Sequence, residues 1–439
     1  MDKINLALQL ILSLSILVVL HELGHYLPAK WFKTRVEKFY LFFDPYFSIF
    51  KKKIGETEWG IGWIPFGGYV KIAGMIDESM DKEQMKQPPQ PWEFRSKKAW
   101  QRLIIMVGGV TVNFILGILI FSMMMFYWGE SYLKTSDVRD GMVVDSLGLL
   151  LDLKDGDKVL KVGTLPMEKF NAALVTNEII INQANTIVVE RNGKEETLQV
   201  PDGFVTEMTK YENRKKSLFY PRVELDVKKV VPEGNAGKAG LEDNAKIIAV
   251  GGTPVLFQHE FKKILQDKKG QTLDFTYMLG QDTLHKDIAV SDNGTIGIEL
   301  EGLPVSYQKY GFFESFPKGA SMAVNFLSSQ LKAFGQMFSG KIKAKDSLGS
   351  VFSIAGMFDT GWDWRIFWNI TASLSILLAF FNLLPIPALD GGYVMFLIWE
   401  VITGKAPSDK FMEIVNYIGF IILMGLMLFA IGLDVSRWF

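Results

Sequence analysis

Two residue types are scarce in this 439-residue sequence: cysteine is absent, and histidine occurs only at positions 21, 25, 259 and 285. Without thiols the chain cannot form disulfide frameworks or cysteine-based zinc sites, so any bound metal must be held by histidine and carboxylate side chains. Net charge is also lacking, because 47 basic residues nearly balance 48 acidic ones. The chain therefore has no basic field to attract nucleic acid, and we exclude nucleic acid as a partner.

Long runs without charge are abundant instead. Hydrophobic residues make up 49% of the chain and charged residues 22%, a balance that indicates a protein partly embedded in a membrane. Four runs reach the roughly 18 to 25 apolar residues that cross a bilayer. We interpret the first as a retained helix and not as a signal peptide, because only Lys3 precedes it and no small-residue cleavage site follows. With their flanks, the runs predict membrane segments at 1–30, 101–129, 366–391 and 410–434.

The segment between the first two runs, 31–100, predicts the orientation of the chain. Lysine and arginine crowd this loop, and such residues stay on the cytoplasmic side of a membrane. The large insert from about 130 to 365, and both termini, are then predicted to lie outside the cytoplasm. Within the loop, EWGIGWIPFGGYVKIAG is rich in glycine and aromatic residues, which favours a glycine-turned β-hairpin at about 55–75. Its apolar character predicts that it packs against the helices or enters the membrane.

The insert is predicted to form two small β-rich domains. Residues 147–166 and 237–256 repeat one pattern: a leucine, an acidic turn, an alternating strand (KVLKV or KIIAV) and a glycine turn. The pattern resembles PDZ domains of the bacterial protease type, which implies PDZ-like α/β domains at 130–204 and 220–304 that bind extended peptide by strand addition. Two domains that serve only as spacers or size filters are the alternative.

Residues 310–365 form the last part of the insert. Apolar side chains recur there at helical spacing, beginning at Phe316, which predicts an amphipathic helix. Such a helix either lies on the outer membrane surface or packs against the second PDZ-like domain.

The motif HELGH, at positions 21–25, closes the first apolar run. His21 and His25 stand at i and i+4, so on a helix they project from one face and can reach a single metal ion. Glu22 is offset by about 100 degrees, which allows it to act on a water molecule at the metal without being a ligand. Ionisable groups at membrane depth cost about 2.5–3.5 kcal/mol each, so the motif favours catalysis over a structural pair or a zinc-transport site.

Two histidines leave a catalytic zinc short of a third protein ligand. Asp44, Glu56 and Glu58 follow the motif, but none lies on an obvious helix. The better candidate is remote: Asp390, in NLLPIPALDGG at 382–392, is predicted at the end of the third span on the same membrane side as the histidines. There the paired glycines that follow Asp390 permit a sharp exit of the chain.

These motifs together resemble the site-2 protease family of intramembrane zinc metalloproteases, and within it the bacterial RseP group. The resemblance extends over nearly the whole chain and includes IPFGGYVKIAG, FRSKKAWQR leading to GGVTVN, and the tandem insert. It implies a polytopic α-helical membrane protein with four transmembrane helices, a membrane-re-entrant β-hairpin and two extracytoplasmic PDZ-like domains. It implies one zinc ion held by His21, His25 and Asp390, with Glu22 as the catalytic glutamate. The implied substrate-binding residues are Asn382, Pro385, Pro387, Gly67, Gly68 and Tyr69.

The predicted activity is hydrolysis of peptide bonds inside membrane segments. Zinc would activate a water molecule, Glu22 would accept its proton, and an unwound substrate strand would pair with the hairpin. The resemblance implies single-span substrates, such as anti-sigma factors or remnant signal peptides. It also implies a location in a bacterial inner membrane, with the active site toward the cytoplasm and the PDZ-like pair in the periplasm. The alternative is a non-enzymatic membrane protein, either a PDZ-bearing scaffold or a metal carrier.

Overall fold

The computed structural model describes residues 2–75 and 88–437. Residues 76–87, which belong to the predicted cytoplasmic loop and include the start of its proline-rich connector, lie outside the described residues. The chain divides into two compact units. We call them the membrane unit, within 1–129, 309–331 and 348–439, and the β-rich unit, within 130–308 and 332–347.

Helices dominate the membrane unit, and short helices alternate with strands in the β-rich unit. In chain order the helices are α1 (Asp2–Trp31), α2 (Ala99–Tyr127), α3 (Ser146–Leu149), α4 (Ala172–Ile180), α5 (Phe204–Met208), α6 (Asn235–Lys238), α7 (Gln258–Asp267), α8 (Phe312–Phe338), α9 (Ala344–Ser347), α10 (Val351–Ala355), α11 (Trp364–Leu383), α12 (Asp390–Thr403) and α13 (Asp409–Ser436).

Most strands belong to the β-rich unit, and the first four belong to the membrane unit. They are β1 (Val36–Phe43), β2 (Phe50–Ile54), β3 (Thr57–Ile61), β4 (Ile64–Ile72), β5 (Glu130–Tyr132), β6 (Met142–Val144), β7 (Lys158–Val162), β8 (Leu165–Pro166), β9 (Thr186–Arg191), β10 (Lys194–Gln199), β11 (Phe219–Pro221), β12 (Val227–Val230), β13 (Lys246–Val250), β14 (Thr253–Pro254), β15 (Thr272–Leu279), β16 (Asp282–Ala289), β17 (Ile298–Leu300) and β18 (Ser306–Gln308).

Four of the described helices, α1, α2, α11 and α13, are long and apolar enough to cross a membrane. The third span ends earlier than the predicted 366–391, because Pro385 and Pro387 cannot continue the hydrogen-bond ladder of α11. Asp390 is therefore the first residue of a separate helix, α12. The two glycines after it do not form an exit. They lie in the first turn of α12, where a Cβ on Gly391 would be 2.1 Å from the Leu384 carbonyl oxygen.

The apolar loop between α1 and α2 forms a four-stranded sheet in the order β2-β3-β1-β4. The predicted hairpin at 55–75 is wrong as a pairing: β3 and β4 are not neighbours, because β1 lies between them, parallel to β3 and antiparallel to β4. Glycines make room for the aromatic side chains of β1. A Cβ on Gly60 would lie 2.2 Å from the Tyr40 ring, and one on Gly67 would lie 2.7 Å from the Phe43 ring.

The sheet lies along α1. A Cβ on Gly68, in β4, would be 2.6 Å from Val18 of α1, and Ile72, at the other end of β4, packs in a buried cluster with Ala29. From residue 18 to residue 29 the helix rises about 16 Å, so β4 follows α1 from its middle to its C-terminal end. This alignment carries β4 past the HELGH motif.

The β-rich unit contains the repeat predicted from the sequence, as two copies of one element order. The first copy runs from β6 to β11 with a sheet of order β10-β9-β7-β8, and the second runs from β12 to β17 with a sheet of order β16-β15-β13-β14. Both central strands have a register shift at the same place, between Val159 and Lys161 in β7 and between Ile247 and Ala249 in β13. The last strand of the first copy, β11, pairs with β6 and lies beyond the predicted boundary at residue 204.

Helix α8 has contacts that the sequence does not predict. In the membrane unit it packs on α2: a Cβ on Gly319 would lie 2.2 Å from the Ser122 hydroxyl oxygen, and Ala323 is buried against Phe121. Farther along α8, in the β-rich unit, Lys332 donates a 2.7 Å hydrogen bond to Asn182. That residue belongs to the first β-rich copy, whereas the predicted alternatives were the outer membrane surface and the second PDZ-like domain.

Candidate metal centre

The two histidines of HELGH project from one face of α1. Both side chains are buried, and their Nε2 atoms are 3.3 Å apart. Between them, Gly24 allows α1 and α2 to cross with their backbones in contact, since a Cβ there would lie 2.5 Å from the Gly108 carbonyl oxygen. The close crossing brings α2 against the histidine rings.

Asp390 completes a triangle of donor atoms. Its Oδ2 atom lies 3.2 Å from His21 Nε2 and 3.4 Å from His25 Nε2. A tetrahedral zinc with ligand atoms at about 2.0–2.1 Å separates those atoms by about 3.3–3.4 Å, so the triangle has the size that one zinc ion requires. No group of the described residues donates a hydrogen bond to this buried Oδ2 atom, which is expected of an atom that binds a metal. Two imidazoles and a carboxylate are a donor set that zinc accepts.

The other carboxylates considered for the third ligand have different partners. Asp44 accepts hydrogen bonds from Ser48 and Tyr69 at 3.0 and 2.9 Å. Glu58 accepts one from Tyr40 at 2.7 Å, and Glu56 lies 3.4 Å from the ammonium group of a lysine at the end of α1. Among the described residues, the triad with Asp390 is the one group of three possible ligands that converges on a point.

The outer nitrogens of the two rings contact α2. His25 Nδ1 lies 2.8 Å from the Ile105 carbonyl oxygen, so it donates its proton there and leaves the Nε2 lone pair for a metal. The fully buried Asn113 amide lies with its nitrogen 3.1 Å from His21 Nδ1, and its oxygen has no hydrogen-bond partner among the described residues. Exchanging the positions of the amide nitrogen and oxygen lets the oxygen accept the ring proton. Neither residue was among the predicted site residues, although an asparagine within an apolar span indicates a functional position.

Gly109 of α2 is pressed against the same rings. A Cβ at this position would lie 2.4 Å from His25 Nε2 and 2.7 Å from His21 Cε1. Any side chain here would displace a donor atom, so glycine is required by contact and not by backbone conformation.

Glu22 lies beside the triangle without joining it. Its half-buried carboxylate lies beside the backbone N–H of Val70 in β4. Since β4 is at one edge of the sheet, this contact places an edge strand next to the glutamate of HELGH.

The predicted substrate-binding residues surround the site at different distances. Asn382 Nδ2 is 3.4 Å from His21 Nε2, and Pro385 and Pro387 lie in the connection between α11 and α12 that carries Asp390. Gly67 and Gly68 lie in β4, against Phe43 and Val18 as described above. Tyr69 is held within the sheet, because its hydroxyl donates to Asp44 and its ring stacks on Tyr40 at 5.3 Å.

The fold and the site define a class: a metallopeptidase-type centre of two histidines, a remote carboxylate and an adjacent glutamate, built on apolar helices. The family model described as "Peptidase family M50" matches residues 9–426. The chain belongs to this family, and the resemblance to site-2 proteases is thereby confirmed.

Named relatives are similar over almost their full lengths. A putative zinc metalloprotease of Rickettsia conorii is 28% identical, with 98% of each chain covered. Metalloprotease MmpA of Caulobacter vibrioides is 26% identical, with 98% of this chain and 95% of the relative covered. Regulator of sigma-E protease RseP of Escherichia coli is 26% identical, with 97% of each covered. The prediction of an intramembrane zinc metalloprotease is confirmed at the level of the family.

Proposed function

We propose that this protein is an intramembrane zinc endopeptidase that cleaves the transmembrane segments of single-span membrane proteins. One observation carries the proposal: among apolar helices, His21, His25 and Asp390 converge on a triangle of zinc dimensions beside Glu22. Buried ionisable groups of this kind are costly in a membrane protein and are by default functional.

The roles of the residues follow from their positions. His21, His25 and Asp390 would hold one zinc ion per chain, which when bound polarises the scissile carbonyl and makes a water molecule more acidic. Glu22 accepts the proton of the attacking water and returns it to the leaving amine. We infer that the backbone N–H of Val70, beside the Glu22 carboxylate, holds this group in place for both transfers.

The edge of β4 gives an unwound substrate a place to bind. A transmembrane helix must lose its internal hydrogen bonds before cleavage, and its freed backbone groups need new partners where water is scarce. We infer that the substrate adds as a strand along β4, with the sheet entering the membrane and the Asn382 amide contacting its backbone. Gly67 and Gly68 let this strand lie close against Phe43 and Val18, which sets the position of its free edge. Pro385 and Pro387 leave carbonyl groups without helical partners.

The same proposal covers the location and the partners of the protein. The basic loop favours the cytoplasmic side for α1's C-terminal end, so the site faces the cytoplasm of a bacterial inner membrane. The two β-rich copies would then be PDZ-like domains in the periplasm that admit substrates by size or bind their trimmed ends. Because one relative is named a regulator of sigma-E protease, anti-sigma-factor-like proteins are the first substrates to test, and remnant signal peptides are the second.

A PDZ-bearing scaffold or a metal carrier is the alternative. A carrier requires a second ligand set, but the described residues hold no other cluster of three candidate ligands. His285 lies on an exposed strand 3.4 Å from Asp274, and His259 stacks against Phe257.

Two substitutions test the proposal in the purified protein reconstituted with a single-span model substrate. Glu22→Gln should keep zinc and lose cleavage by about 100- to 10,000-fold, the usual size of a general-base contribution. Asp390→Asn should lose zinc, whereas the control Asp44→Asn should keep both zinc and cleavage. Unchanged cleavage by Glu22→Gln, or full zinc occupancy in Asp390→Asn, would overturn the assignment.

A further inference from the structure

The strand β2, at the other edge of the sheet from β4, carries a surface that the proteolytic site does not use. Every residue of β2 is exposed, and three consecutive ones are lysines, Lys51, Lys52 and Lys53. None of the three side chains forms an ion pair or hydrogen bond among the described residues, although the backbone of β2 pairs with β3. Exposed apolar side chains lie in the turn before β2, at the first residue of β2 and in the connection from β3 to β4: Tyr46, Phe47, Ile49, Phe50 and Trp63.

The apolar side chains form an ordered tip. Phe47 and Trp63 stack with their rings 5.6 Å apart, and the Trp63 indole donates to the Pro45 carbonyl at 2.9 Å. Tyr46 is completely exposed at the end of the turn with φ of +74°, a left-handed conformation that a bulky residue rarely adopts. A strained turn that projects an aromatic ring out of the protein is more common at binding surfaces than elsewhere.

The strand register fixes how the tip and the lysines lie along α1. Across the sheet, Phe50 of β2 pairs with Ile61 of β3, Ile61 pairs with Leu41 of β1, and Leu41 pairs with Gly68 of β4. Gly68 lies beside the middle of α1, so Phe50 is level with that part of the helix. In the same way, the pairings across β3 and β1 connect Lys53 of β2 with Lys71 of β4, which lies near the C-terminal end of α1. The apolar end of β2 is therefore level with the middle of α1, and the charged end is level with its C-terminal end. In the orientation given under Proposed function, on which this inference rests, the apolar end lies deeper in the membrane and the charged end lies toward the cytoplasmic surface.

We propose that the outer edge of β2 binds anionic phospholipids of the cytoplasmic leaflet. The lysine stems cross the interface and place their ammonium groups at the lipid phosphates, while the tip of the turn is buried among acyl chains. The phosphate oxygens also accept hydrogen bonds from the backbone N–H groups of this unpaired strand edge, which lipid tails cannot do. Because β2 and β4 belong to one sheet, this contact also fixes the depth of the strand beside Glu22.

The absence of cysteine allows a direct test in the full chain. A single Ile49→Cys substitution carries a fluorophore, and the protein is placed in neutral bilayers that contain acyl-chain-spin-labelled phosphatidylglycerol or phosphatidylcholine. We expect stronger quenching by the anionic lipid. Three lysines enrich the anionic lipid beside β2 on the order of 100-fold over the neutral lipid. The preference should therefore disappear in the triple variant Lys51→Gln, Lys52→Gln and Lys53→Gln.

Matched variants separate charge from folding and from other ligands. The same three lysines changed to arginine should keep the preference, and so should a control that changes Lys228, Lys229 and Lys238 to glutamine. Equal quenching by both lipids with the lysines intact would overturn the proposal, as would a preference that survives the triple glutamine variant. So would a glutamine variant that loses model-substrate binding in purely neutral bilayers, because the lysines would then serve the substrate.

Discussion

The contact between Gly109 and the histidine rings leads to a prediction that depends on one methyl group. Gly109→Ala would place a Cβ 2.4 Å from His25 Nε2, whereas unbonded atoms normally approach to about 3.5–4.0 Å. A ring must therefore shift by about 1 Å. Productive metal-site geometry tolerates about 0.5 Å, so the shift is large enough to disturb zinc binding.

The expected effect on stability is smaller than the effect on zinc. Alanine in place of a helical glycine stabilises by about 0.5–1 kcal/mol, and local overpacking costs about 1–3 kcal/mol, so the net destabilisation is about 0–2.5 kcal/mol. Zinc affinity should fall about 10- to 100-fold, as it does when the surroundings of metal ligands are altered. The control is Gly425→Ala on α13, where a Cβ would have no atom within 4 Å. It should keep zinc and be neutral or slightly stabilised.

Zinc affinity is measured by competition with a chelator, and stability by thermal unfolding of both variants under the same conditions. Cleavage of a model substrate provides the third measurement. If Gly109→Ala bound zinc as tightly as the unaltered protein, or if Gly425→Ala lost zinc equally, the close approach of α2 to the rings would not govern the site.

Three further substitutions test other contacts. Asn113→Leu removes the amide beside the first histidine and should weaken zinc binding about 10- to 100-fold with little change in unfolding temperature, measured by the same chelator competition. Asp434→Ala leaves the donors at the start of α10 and a neighbouring arginine without their acceptor, so it should destabilise the membrane unit by about 3–5 kcal/mol in denaturant unfolding. Asp157→Ala removes the buried carboxylate whose hydrogen bond raises the pKa of Arg191, and it leaves this nearly buried guanidinium with the more exposed Glu196 as its closest remaining carboxylate. It should weaken hydrogen-exchange protection in the first β-rich copy while zinc binding stays unchanged.

Local spacing explains why part of the site is predictable. His21, Glu22 and His25 lie within one helical turn and a residue, so their mutual positions follow from helix geometry alone. Asp390 is predictable for another reason: a carboxylate after an apolar run needs a function. The break between α11 and α12 is only half predictable, because prolines indicate where a helix ends but not where the next one begins.

The remaining contacts depend on partners that a sequence pattern does not name. The aromatic strand β1 enters between β3 and β4 because Gly60 and Gly67 leave room for its rings, and nothing in the order of residues says which strands meet. The packing of α8 on α2 depends in the same way on Gly319 meeting Ser122. Small residues permit close approach but do not identify what approaches.

Zinc-edge X-ray absorption of the purified protein, compared with its Asp390→Ala variant, tests the central claim most directly. We predict one zinc per chain with two imidazole nitrogens and a carboxylate oxygen at about 2.0–2.1 Å, and loss of that oxygen or of the metal in the variant. A zinc spectrum without imidazole ligands, or one that the substitution leaves unchanged, would contradict the account.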